Sequence, residues 1–137
     1  MVGTGNDRPR RFDFDFDPRF RGLLRLSGVS PRTAVVRVHP DRLHARFGPV
    51  AVETPLDNVR DVRRTGPYRW YRTIGIRLSL VDRGLTFGSS VDDGVCIRFH
   101  RPVAGLAGIR HPGLTVTVAD PDALVTALRA AHQGIDR

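Results

Sequence analysis

Residues 114–131 constrain the fold more than any other stretch of the chain. Leu114, Val116 and Val118 alternate with Thr115, Thr117 and Ala119, which is the period-2 pattern of a strand with one apolar face. At Asp120-Pro121 the period changes. Asp120 is a good N-cap, because its carboxylate can accept from the free N–H groups of a first turn. Pro121 fits the first helical position, where no N–H is required, and Asp122 suits the positive end of the helix dipole. Leu124, Leu128 and Ala131 then recur at helical spacing, with Val125 and Ala127 beside them. Arg129 and His132 sit near the negative end, and Gly134 is a stop signal. A last strand that feeds directly into one amphipathic helix needs a sheet for that helix to cover.

The upstream chain reads as that sheet. Phe12, Phe14 and Phe16 alternate with Asp13, Asp15 and Asp17, which predicts an edge strand laying three rings on the core. Asp17-Pro18 repeats the cap-then-proline signal, and Phe20, Leu23 and Leu24 follow at helical spacing, so 18–26 is read as a short helix. Residues 33–38 and 42–47 form a hairpin about His39-Pro40-Asp41, with Leu43, Ala45 and Phe47 inward. Strands are expected at 50–54, 59–64, 85–88 and 95–100, and the longest at 73–81, with Ile74, Ile76, Leu78 and Leu80 on one face. Residues 65–72 and 89–94 read as loops. So does 101–113, a mobile one by its two prolines and three glycines. About eight antiparallel strands must curl or split into two packed layers to bury one face. The expectation is one mainly β domain over 12–134, after a disordered tail at 1–11.

The net charge of +8 attracts polyanions, and it has a compositional reading beside the functional one. All 22 basic residues are arginine, and Glu53 is the one glutamate against thirteen aspartates. That skew looks like the coding bias of a high-GC genome. One cysteine, Cys96, rules out an internal disulfide framework and fits a reducing compartment. No signal-like or membrane-length apolar run is present. The expected location is cytoplasmic, with attachment to the inner face of the membrane as the one membrane-linked option.

Three segments carry a resemblance. They are Leu56-Asp57-Asn58-Val59 leading into a strand, Gly75-Ile76-Arg77-Leu78, and Leu114 to Leu124 running into the helix. Over roughly 33–131 the chain resembles proteins of pleckstrin-homology-like (PH-like) fold, and more narrowly a group of uncharacterised actinobacterial proteins of that architecture. The resemblance implies a split barrel, or two packed antiparallel sheets, closed by a C-terminal helix. It implies a binding module: eukaryotic relatives bind phosphoinositides, peptides or protein surfaces. Their lysine-rich loop corresponds to His39-Pro40-Asp41-Arg42 here, which has no lysine and so speaks against specific inositol-phosphate binding.

Catalytic signals are sparse. There is no Gly-rich phosphate loop and no nucleophile elbow. Cys96 and His100, four apart in one strand, stand roughly 13 Å apart by rise alone. His111, before Pro112-Gly113, is the best single candidate for a functional histidine. His39 and His44 read as solvated rather than metal-binding. No cofactor and no metal are expected.

One stretch stands out, from Arg60 to Arg77. Tyr68, Trp70 and Tyr71 lie among Arg60, Arg63, Arg64, Arg69, Arg72 and Arg77, with Asp61 as the one acid. Trp, Tyr and Arg are the usual anchors of protein interfaces. The same mixture suits anionic headgroups and can stack bases; it also fits aromatics folded over the barrel mouth beside solvated arginines. The expected function is a non-enzymatic binding or scaffolding module whose site is Trp70, Tyr71, Arg69, Arg72, Arg63 and Arg64, with Tyr68 and Arg77 next. A protein partner ranks first, an anionic lipid surface or other polyanion second, nucleic acid lower. A small-molecule-binding or enzymatic barrel is a further alternative. Exposed strand edges can also pair into a homodimer.

Overall fold

The computed structural model describes residues 10–66, 74–79, 82–90 and 92–136, the last five by backbone alone. Strand β1 (Arg10–Asp13) leads through a 3-10 turn at Pro18–Phe20 into helix α1 (Arg21–Leu26). Strands β2 (Ala34–Val38), β3 (Arg42–Phe47) and β4 (Val50–Pro55) follow. With β1 they make an antiparallel sheet in the order β1-β2-β3-β4. The aromatic strand is thus an edge strand, as its alternation predicts. Phe12 and Phe14 are buried, and Phe16 packs partly against the core. Arg10 and Arg11 belong to β1, so a strand begins inside the stretch read as tail; residues 1–9 lie outside the described residues.

The second sheet has five strands. They are β5 (Val59–Thr65), β6 (Gly75–Leu78), β7 (Leu85–Gly88), β8 (Gly94–Ala104) and β9 (Arg110–Val116), in the order β5-β8-β9-β7-β6. Helix α2 (Pro121–Asp136) packs against β5 and β8 and runs past the glycine read as its stop. Asp120 caps it as expected, accepting from the Ala123 N–H at 3.1 Å. Leu124 and Leu128 are fully buried. The molecule is therefore mainly β, with two sheets and one C-terminal helix, and the sheets do not close into a barrel.

Three expectations are corrected. The second sheet is not wholly antiparallel, because β7 and β9 run parallel. A parallel pair needs a long crossover, and here β8 and its hairpin supply it. Among the described residues the longest strand is β8 rather than 73–81, of which β6 takes Gly75–Leu78, while residues 73, 80 and 81, Leu80 included, lie outside the described residues. Residues 101–113 are not a mobile loop: β8 continues to Ala104, a 3-10 turn spans Leu106–Gly108, and β9 begins at Arg110. Proline and glycine signals failed there because Pro102 lies in an irregular part of the ladder. The β8–β9 register shifts between Arg98 and Val103, and a bulge tolerates a residue with no N–H.

A buried asparagine holds that irregularity in place. The Asn58 amide donates to the Thr54 hydroxyl at 3.0 Å and to the Arg101 carbonyl at 2.9 Å, while its oxygen accepts from the Arg101 N–H at 2.8 Å. The side chain thus acts as a strand partner for Arg101 at the corner where the chain passes between sheets. Asn58→Ala leaves two backbone groups of Arg101 without these partners. It should destabilise the fold by about 2–3 kcal/mol, read as a lower denaturation midpoint with an unchanged denaturant slope.

Candidate functional site

Of the Arg60–Arg77 stretch, Tyr68, Arg69, Trp70, Tyr71 and Arg72 lie outside the described residues. Arg63, Arg64 and Arg77 are placed, and the fold separates them. Arg64 is committed to structure. Its Nε donates to Asp93 at 2.9 Å, its Nη2 also pairs with Asp93, and its Nη1 reaches both Asp122 oxygens at 3.0 and 2.9 Å. Asp93 first, then Asp122, hold the guanidinium above the ordinary arginine range. Arg64 therefore fastens the first turn of α2 to β5, which takes it out of the predicted site.

Arg63 and Arg77 point away from the core, and the register puts them in one row. Arg63 lies opposite Cys96, Cys96 opposite Thr115, Thr115 opposite Thr86, and Thr86 opposite Arg77. The row crosses all five strands of the second sheet. Four interstrand steps of about 4.8 Å set its length at roughly 19 Å. Both ends are arginine and the middle is small and polar. Arg77 also donates from Nε to the Ile74 carbonyl at 2.8 Å, which folds its stem along its own strand.

Around Cys96 the outer face forms a trough of about 250 Å³, whose lining includes Arg63, Thr86, Cys96, Arg98, Gly113 and Thr115. Arg98 lies beside Gly113 in the register, where no side chain covers the floor. Asp82 forms part of the rim. The Gly84 N–H first, and then the Ser79 hydroxyl, hold its carboxyl below the usual carboxylate range. Arg98, Thr86 and Thr115 are the site residues that sequence reading missed. Their signal was the outward half of each alternation, and pairing that half across strands requires the register.

His111 is a structural residue, against the expectation that it was the best functional histidine. It is fully buried. Its Nε2 accepts from the Leu106 N–H at 3.0 Å, which assigns the proton to Nδ1, and Nδ1 donates to the Arg83 carbonyl at 2.7 Å. The ring thereby ties the β8–β9 turn to the turn before β7. Gly105 makes room for it, since a Cβ there would stand 2.7 Å from His111 Cδ2. His100 and Cys96 remain on one strand, with no bond between them among the described residues. His44 lies opposite Arg37 in one register and Glu53 in the other. Among the described residues no group of three His, Cys, Asp or Glu side chains is placed to hold a metal.

No protein-family model, curated protein or solved structure matches this chain.

Two outcomes follow from these side chains. Gly105→Ala should lower stability by about 1–3 kcal/mol through overpacking against His111, measured by thermal unfolding. Burial pulls the His44 imidazole below its ordinary value, with the attraction of Glu53 opposing and Arg37 adding. The folded state then binds this proton less readily than the unfolded chain. Its contribution is complete above the ordinary histidine range and is lost as pH falls through that range to the folded value. His44→Gln should flatten the decline in unfolding free energy between about pH 7 and pH 5, measured by denaturant titration at each pH.

Proposed function

We propose that the protein is a non-enzymatic, cytoplasmic binding module that docks an acidic segment of a partner protein on the outer face of its five-stranded sheet. The observation that carries this reading is the cross-strand row with Arg63 at one end, Arg77 at the other and a small polar centre. Arg63 and Arg98 enter into no ion pair among the described residues. The Arg63 guanidinium is available to take a partner's carboxylate in the bidentate geometry that arginine favours, while Arg98 lies opposite Asp61 and within electrostatic reach of Asp82. The trough between them accepts a side chain without displacing a large residue. Residues 67–73, with Tyr68, Trp70 and Tyr71, lie in sequence between the strands that carry Arg63 and Arg77. They supply aromatic anchors of the kind that concentrate binding energy.

The order of a four-stranded sheet, a second sheet and a C-terminal helix supports a PH-like assignment. The parallel β7–β9 pair is a departure from it. We favour binding over catalysis because the buried His111 is fully occupied by backbone partners.

The test is an NMR titration with an Asp/Glu-rich dodecapeptide. Amide shifts are expected at Arg63, Cys96, Arg98, Gly113 and Thr115. Arg63→Glu combined with Arg98→Glu should weaken binding about tenfold or more. Shifts confined to other surfaces, or an equal loss on reversing Arg60 and Arg101, overturn the assignment.

A further inference from the structure

A second surface, sharing no residue with the trough, is built by the segment between β1 and β2. Helix α1 is anchored by Leu24, which is buried in the core. The Ser27 and Val29 N–H groups both bond back to the Leu24 carbonyl, at 2.9 and 3.0 Å. At 100° per residue, Gly22 and Leu26 lie opposite Leu24, Leu23 lies on one flank of the helix, and Arg21 and Arg25 lie on the other. Leu23 is 56% exposed and Leu26 87%, and they are the exposed large hydrophobic residues among those described. An isolated exposed leucine is ordinary. Leu26 at the apex and Leu23 on the adjoining flank, with open space beside Gly22, form an exposed apolar patch.

Cations stand on the other flank. Arg21 and Arg25, one turn apart, face Arg32 across an open groove of about 860 Å³, whose lining includes Phe16, Val29 and Pro31. None of the three arginines has an ion pair among the described residues. The neighbouring carboxylate, Asp17, is already occupied: it accepts from the Arg19 backbone N–H at 3.0 Å and from the Arg19 guanidinium at 2.7 Å.

We propose that this surface docks on an anionic lipid bilayer. Leu23 and Leu26 are exposed on one side of the helix, and three guanidiniums without ion pairs among the described residues adjoin them on the other. A bilayer of anionic lipid offers hydrocarbon to the first and phosphates to the second. Arginine stems can lie along the apolar floor while their heads meet the phosphates. Two leucines and three arginines make a reversible, salt-sensitive attachment rather than a permanent anchor. Among the described residues no helix is long and apolar enough to cross a membrane.

Flotation with phosphatidylcholine vesicles, and with vesicles containing about one-third phosphatidylglycerol, tests this at low and physiological salt. The natural chain should float with the anionic vesicles and not with the neutral ones. At about fivefold per basic residue at an anionic surface, replacing Arg21, Arg25 and Arg32 with Gln should weaken binding about a hundredfold. Replacing Arg60, Arg101 and Arg110 with Gln removes the same net charge and should change it little. Leu23→Ser with Leu26→Ser should cost about tenfold at physiological salt. Both leucines are exposed, so these variants fold.

Failure to float, an equal loss in the two arginine triples, or full binding by the leucine variant each overturns the proposal. Retained vesicle binding by the Arg63→Glu, Arg98→Glu protein separates this surface from the peptide-docking face.

Discussion

The structure depends on a seam between the segment that follows β1 and the segment that follows β9. Asp15 N–H donates to the Thr117 carbonyl, Asp17 N–H to Ser89, and Ala119 N–H to Asp13, all at 2.8–2.9 Å. The buried Ser89 hydroxyl closes the gap by donating to the Asp15 carbonyl at 2.6 Å. These bonds carry the N-terminal strand from the first sheet onto the second. Phe14 crosses with it and meets Phe47 at 5.0 Å between ring centroids, and Phe47 stacks on Phe87 at 5.2 Å. One aromatic column thus joins the segment after β1 to β3 and β7.

The opposite side of the sandwich is held by polar side chains that replace missing strand neighbours. Asn58 serves Arg101 at the sheet-to-sheet corner. Arg129 donates to the Val62 carbonyl at 3.0 Å, which satisfies an acceptor on the free edge of β5. Among the described residues no buried side-chain nitrogen or oxygen lacks a partner. An unmade hydrogen bond in a core costs more than a made one contributes, so these contacts matter mainly because the fold would fail without them.

The arginines divide by role, and the division was invisible in the sequence. Arg64 and Arg129 secure α2, and Arg19 serves the Asp17 cap. Arg63 and Arg98, by contrast, border a trough on the outer face of the second sheet, and Arg21, Arg25 and Arg32 line a groove on one flank of the helix that exposes Leu23 and Leu26. Composition sets the number of cations, whereas packing decides which of them have carboxylates within reach. Arg63 and Arg64 show the difference most plainly: as neighbours on one strand they face opposite sides, and only one side holds Asp93 and Asp122.

Local pattern by itself determined the hairpin of residues 34–47, the inward sets of Phe12 and Phe14 and of Leu43, Ala45 and Phe47, the Asp17 and Asp120 caps, and the C-terminal helix with Leu124 and Leu128 inside. Each of these depends on neighbours within a few residues, so periodicity and capping chemistry are enough. Tertiary structure alone decided that β7 runs beside β9, that residues 101–113 form a hairpin in spite of their prolines and glycines, that His111 is a buried link, and that Arg63, Cys96, Thr115, Thr86 and Arg77 share one row. Strand order and register are chosen by which apolar faces can be covered at once. Residues tens of positions apart must meet before that choice is made, and no local alternation records it.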